Sequence, residues 1–297
     1  MLSEVSAHPS RLALLSLILG AMCIAFAPIF VRLADVGPVS VVAWRLGLSI
    51  PFALIWCWRI RHRPQAPHAR RGAAAYGLLV LSGVFLAIDL ALWHIAIHYT
   101  SVANSTFILN LAPIFVTLGA WALFGEVIGG GFLLALLAAI CGAGLLVRAS
   151  FDVSPRDLMG DFIALAAAIF YAGYQLTVKH CRRHFATAHI LAGTAIVTPL
   201  VLAPVIVVMN EQVLPRSLQG WGAVLGIALI CQVFGQGLIT WAVGHLRANL
   251  ASVLLLVQPV TAAWLAILIF NEQMSLSRFI GCALVLAGLV LARRASR

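Results

Sequence analysis

Arg45 and Asp89 are ionisable side chains set inside otherwise apolar stretches. A charge within a bilayer costs about 2.5–3.5 kcal/mol on insertion scales, so it faces protein or water and finds a partner. At about 1.5 Å of rise per helical residue, Arg45 lies about 10 Å and Asp89 about 7 Å from the same end of two consecutive helices. The matched depth predicts that they pair. Two chemistries fit: a structural salt bridge, or an Asp89 carboxylate that takes up and releases a proton as a solute moves.

Amides form the second group. Gln232 and Gln236 share one helix face, and Tyr171, Tyr174 and Gln175 cluster on another helix. Asn110 stands three residues before Pro113, and Gln258 directly precedes Pro259. An amide in hydrocarbon is costly unless paired or wet, and each alone can act as glue between helices. Proline removes a backbone donor and frees a carbonyl one turn earlier, and irregular backbone at membrane depth is tolerated where it lines a cavity. Asn110, Tyr171, Tyr174, Gln175, Gln232, Gln236 and Gln258 are therefore the candidate solute contacts, with Phe85 as apolar surface. Phe26, Trp93, Tyr99, Phe107, Trp241 and Trp264 offer further rings, to a pocket or to the lipid interface.

Glu126 and Glu272 each close an apolar run. A carboxylate between two helices can accept hydrogen bonds from the free amides of the next one and complement its dipole. The expected role is structural, as for Pro113 and Pro259, with gating or ion coupling as the alternative. His94 and His98 share a helix face that could hold a metal, but no third ligand accompanies them, so a water-facing interfacial place is expected. The six cysteines are scattered with no C-x-x-C, which suits packing better than a disulfide or metal site. Gly222 and Gly226 form a small-xxx-small pair for helix contact, and Gly129–Gly131 loosen a turn.

The elements that must carry these residues follow from composition. Of 297 residues, 63% are apolar and only 9% charged, against about 25% charged in a soluble domain. The net charge of +10 is then a topology signal, not a nucleic-acid signal. No Walker-type glycine loop with Lys occurs, since Lys179 is the single lysine. Uncharged windows predict an all-α polytopic membrane protein of ten transmembrane helices, at about 11–33, 38–58, 72–93, 101–124, 128–148, 159–180, 189–209, 219–243, 248–270 and 275–293. The first apolar run, uncharged from Leu12 to Val31, is long for a signal peptide and is read as a retained helix. With the N-terminus inside, 13 basic residues fall on the inner side and 5 on the outer, so both termini are placed in the cytoplasm.

Shifting the chain by 146 residues lays Pro113, Phe124 and Glu126 on Pro259, Phe270 and Glu272, and Gly142 on Gly288. Residues 1–150 and 151–297 thus read as two copies of five helices each. An odd number of spans per copy inverts the second relative to the first, an arrangement typical of secondary transporters, whose solute site lies between the repeats.

The sequence resembles the drug/metabolite transporter superfamily with two EamA-type halves. The resemblance rests on Arg45, on Ala91-Leu92 through Tyr99-Thr100-Ser101-Val102-Ala103, and on Pro113 with Gly125-Glu126; in the second half, on Ala242, Ala251-Ser252, Pro259 and Asn271-Glu272. Asn271 departs from the usual glycine. The resemblance implies export of amino acids and other small metabolites across the cytoplasmic (inner) membrane, most similar to the aromatic amino acid exporters. The expected partners are a small-molecule solute and the lipid bilayer, with no cofactor, metal or nucleic acid; monomer and dimer both stay open. A passive channel would show polar rings along several helices, and these are sparse. A membrane-embedded enzyme would need a nucleophile or metal set; no G-x-S-x-G is present.

Overall fold

The structure is a computed structural model that describes residues 11–60, 72–100, 105, 108–147, 155–270 and 276–295. Among the described residues there are helices and no strands. The helices are α1 (Arg11–Ile24), α2 (Ala27–Leu33), α3 (Pro38–Gly47), α4 (Ile50–Ile60), α5 (Ala73–Tyr99), α6 (Ala112–Phe124) and α7 (Gly130–Val147). They continue with α8 (Pro155–Cys181), α9 (Thr187–Val208), α10 (Leu218–Gly226), a π-helical stretch Ile227–Gln236 and α11 (Gly237–Val243). The last are α12 (Ala248–Leu254), α13 (Val257–Phe270) and α14 (Leu276–Ala295).

Among the described residues, six stretches are long and apolar enough to cross a membrane: Arg11–Val31, Pro38–Ile60, Ala73–Ala96, Leu158–Cys181, Thr187–Val208 and Leu218–Val243. Shorter apolar helices accompany them, Ala112–Phe124 among them. Outward-facing side chains such as Leu123, Phe162, Leu200 and Leu268 are apolar and exposed. A water-soluble protein rarely presents such surface; lipid accounts for it.

Proline sets the breaks. Pro28, Pro51, Pro113 and Pro259 each lie two or three residues inside a new helix that follows a turn. The ring cannot donate to the preceding turn and clashes with its carbonyl, so the expected continuous helices 11–33, 38–58 and 248–270 are each split, and α6 begins only after the turn at Asn110 and Leu111. In the other direction, α5 outruns its expected end near residue 93 and continues to Tyr99. His94 permits this, because its Nδ1 meets the Leu90 carbonyl one turn back at 2.6 Å.

Helices α7 and α14 pack antiparallel, with Gly131 beside Ala295, Ala139 beside Gly288, and Gly142 beside Val285. A Cβ on Gly142 would meet Val285 N at 2.6 Å and Gly281 O at 2.7 Å, and one on Gly288 would meet Ala135 O and Ala139 N at 2.8 Å. Backbone atoms cannot rotate aside, so Gly142→Val is expected to cost about 1–3 kcal/mol as an overpacked contact. A fall in the melting midpoint of the purified protein checks this. Gly222→Val is the control: nothing lies within 4 Å of a Cβ there. Of the expected Gly222–Gly226 pair, only Gly226 is at a close contact, against Phe30.

Candidate functional site

Three helix breaks converge on one cavity of about 170 Å³. Its walls are Ile24, Ala25, Ala27 and Pro28 at the α1–α2 break, Leu109 and Asn110 ahead of α6, and Gln258, Pro259 and Ala262 of α13. Arg45 of α3, Leu86, Asp89, Leu90 and Trp93 of α5, Tyr171 of α8 and Gln236 complete it. Gln236 ends the π-helical stretch, an irregularity that often marks a functional position.

Of the expected solute contacts, Asn110, Tyr171, Gln236 and Gln258 line the cavity. Tyr174 stands behind them: its hydroxyl accepts a hydrogen bond from Gln236 Nε2 at 2.9 Å, and its ring stacks on Tyr171 at 6.3 Å. Gln232 is off the cavity wall and holds Arg45, accepting from Arg45 Nε on its Oε1 at 3.0 Å. Gln175 is buried without reaching the wall. Phe85 also stays off it, packing on Phe170 and on the open face of Gly173. Pro28 and Trp93 sit on the wall as well. Pro28 could have been found by the signal that marked Pro113 and Pro259, a proline within an apolar run.

The expected Arg45–Asp89 salt bridge is not formed, whereas Lys179 and Glu126 do pair, at 3.2 Å. Gln232 takes the Arg45 Nε, while Asp89 is only 2% exposed and its Oδ1 has no hydrogen-bond partner among the described residues. Because α5 runs on to Tyr99, Asp89 lies about 15 Å from that helix end at 1.5 Å per residue, deeper than expected. Glu272, Phe107 and the side chain of His98 lie outside the described residues. Trp264 and Tyr99 are exposed at the periphery, Phe26 packs beside Val41 and Ile227, and Trp241 lies against His245.

Two polar interlocks flank the cavity. At one, Glu126 accepts from Ala248 N at 2.8 Å and Asn249 N at 3.2 Å, and pairs with Lys179 at 3.2 Å. The carboxylate does bond helix-terminal amides, but those of α12, 122 residues on, and not those of the helix that follows it. Lys179 also donates to the Leu246 carbonyl. At the other interlock, Glu211 accepts from Val39 N at 3.2 Å and from Ser40 N at 2.8 Å and Ser40 Oγ at 3.0 Å. Gly37 N donates to Gln212 O at 2.9 Å. Asp35 Oδ2 accepts from Arg216 N at 3.0 Å and Ser217 N at 2.8 Å. Sequence reasoning missed Asp35 and Glu211, although each follows an apolar run as Glu126 does.

Partial desolvation pushes the Asp35 carboxyl up, but hydrogen bonds from the Ser217 side chain and the Arg216 and Ser217 amides outweigh it and hold it below the usual carboxylate range. A depressed carboxylate stabilises the fold above its unfolded value of about 3.9 and loses that contribution as the pH falls through the lower folded value. Thermal stability scanned downward from pH 5 should therefore drop below about pH 4, and Asp35→Asn should shrink the drop.

A multi-pass helical membrane protein with a buried cavity of charged, amide and aromatic side chains is the class that fold and site define. The sequence matches the EamA-like transporter family twice, over residues 11–148 and 158–294, and the chain belongs to that family of membrane transporters. It is 27% identical to the pseudopaline exporter CntI of Pseudomonas aeruginosa over 59% of this chain and 60% of that protein, so the match spans little more than half of that relative. It is 27% identical to the uncharacterized transporter YwfM of Bacillus subtilis over 88% of this chain and 86% of that one. A solved crystal structure shares the fold with a TM-score of 0.78 at 20% identity, covering 94% of this chain and 97% of that chain.

Proposed function

We propose that this protein is a secondary transporter of ten spans in two inverted five-helix repeats, exporting amino acids, aromatic ones among them, and related small metabolites. Both termini are cytoplasmic, and the cell membrane is crossed by alternating access. The observation that carries the reading is the cavity itself, which lies between two interlocks that each join residues before 150 to residues after 150. On the proposed topology, Glu126 and Lys179 close the cytoplasmic end, and Glu211 and Asp35 close the outer end. Breaking one while keeping the other exposes the cavity to one side at a time.

The inverted arrangement is supported by paired contacts. Gly142 and Gly288 are 146 residues apart and sit at mutually close approaches of two antiparallel helices. The pseudopaline exporter among the relatives supports export of a small metabolite. The size of the cavity favours a solute of amino-acid size: a cavity of about 150 Å³ accepts benzene, and about 170 Å³ is available here.

Counterflow of radiolabelled amino acids in proteoliposomes tests the reading. Saturable exchange of an intact amino acid is expected. Unsaturable flux would make it a channel, and chemical conversion of the added solute an enzyme. Epitope tags near Gly130 and Asn271 should report from opposite faces; the same face would remove the inverted repeat.

A further inference from the structure

Asp35, Glu126 and Glu211 all spend their carboxylates on backbone amides at helix starts or turns. Asp89 does not. It is buried, it lines the cavity, and its Oδ1 is without a partner among the described residues. Arg45 lines the same cavity, with its Nε fixed by Gln232 and no salt bridge to Asp89. Two ionisable groups of opposite type at membrane depth, facing one space without pairing, leave each with unspent hydrogen-bonding capacity. Gln232 takes the Arg45 Nε–H and leaves the terminal N–H groups of the guanidinium for another acceptor.

Resting on the amino-acid reading above, we propose that Arg45 and Asp89 form a two-point receptor for a zwitterion. Arg45 takes the carboxylate and Asp89 the ammonium group. A guanidinium fits a carboxylate through its remaining N–H donors. Asn110 and Gln258 are placed to bond the same polar end, and Trp93, Tyr171 and Leu86 to cover the side chain. The Trp93 indole N–H, also unpartnered among the described residues, supplies a further donor. The consequence is selectivity by charge pattern. A monoamine leaves the terminal N–H groups of Arg45 unanswered and a monocarboxylate leaves Asp89 unanswered, each forfeiting one of the two contacts.

The test uses the full-length protein in proteoliposomes and competition against labelled L-phenylalanine or, if that is not carried, L-leucine. For phenylalanine the competitors are phenylethylamine, which lacks the carboxylate, and 3-phenylpropionate, which lacks the amine; for leucine they are isoamylamine and 4-methylpentanoate. In the unaltered protein both are expected to compete at least about 30-fold less well than the amino acid. Asp89→Asn should bring the amino acid down to the level of the deaminated acid, within about threefold, while the amine analogue weakens in parallel. Arg45→Gln should erase the gap between amino acid and amine. The ratio between competitors is read within each variant, so reduced yield does not affect it.

If no amino acid is carried, the functional reading itself fails. If amino acids are carried but both analogues compete equally well in the unaltered protein, or both variants weaken all three compounds by one factor, the two-point assignment is overturned. It is overturned equally if Asp89→Asn keeps the ranking and loses only pH dependence, which would make Asp89 a proton site.

Discussion

Glu126→Ala is expected to destabilise the protein by about 3–5 kcal/mol, the range for removing one partner of a buried ion pair. Two losses combine. Lys179, whose side chain is 15% exposed, is left with the Leu246 carbonyl and the Phe124 ring to answer it. The amides of Ala248 and Asn249 at the start of α12 lose their acceptor, and losing a helix cap costs about 1 kcal/mol on its own. The melting midpoint in detergent and the monodisperse fraction should both fall. Lys179→Met in the Glu126→Ala background should recover part of the loss, because the stranded cation is then gone. Strict additivity of the two substitutions would show that they do not act as a pair, and a Glu126→Ala protein that melts where the parent does would remove the interlock as a stabilising element.

Much of this arrangement was legible from the sequence, and the limits have physical reasons. Apolar windows located the helical stretches because a span must satisfy its own backbone, but not the internal breaks at 25–26, 48–49 and 255–256, which the prolines that follow them set. Asn110, Gln236 and Gln258 were found as cavity residues because an uncharged polar group among apolar neighbours is anomalous in one dimension. Gln175 and Gln232 carry the same local signature yet stay off the wall, since the direction in which a helix face points is decided by its neighbours. Arg45 and Asp89 were correctly brought to one neighbourhood by depth, but not to contact, since the competitor, Gln232, is 187 residues away from Arg45 in sequence. Glu126 was readable as a helix-end carboxylate, while the helix it serves was not: spacing shows that an acid sits at a helix end, and only folding shows whose amides come within reach. Asp35 and Glu211 carried the same signal, each following an apolar run. The π-helical stretch leaves no mark in residue order, because its extra residue per turn changes no hydrophobic pattern over ten residues.

The largest functional effect is expected at the other interlock. Glu211→Ala removes an acceptor that holds Val39 N, Ser40 N and Ser40 Oγ. Gly37→Ala attacks the same contact from the opposite side, since a Cβ there would lie 2.7 Å from Glu211 Cβ. Hydrogen bonds to a charged group contribute about 1.5–3 kcal/mol each, and part of that is recovered when water replaces the protein partner in the opened state. A net loss of about 2–3 kcal/mol on closure shifts the balance toward the outward-open form by about 30–150-fold, at 1.4 kcal/mol per decade. A single cysteine at Ala25 or Leu86 on the cavity wall, in a background where the six native cysteines are replaced, reports the shift through its labelling rate with a membrane-impermeant maleimide added outside. Both substitutions should raise that rate by the same order, because they break one contact by two routes. Transport should slow in parallel, as a carrier held open to one side cannot return its site to the other. Faster labelling from the inside instead would place the interlock on the cytoplasmic face and invert the proposed topology. Unchanged labelling in both variants would mean that the cavity is sealed elsewhere.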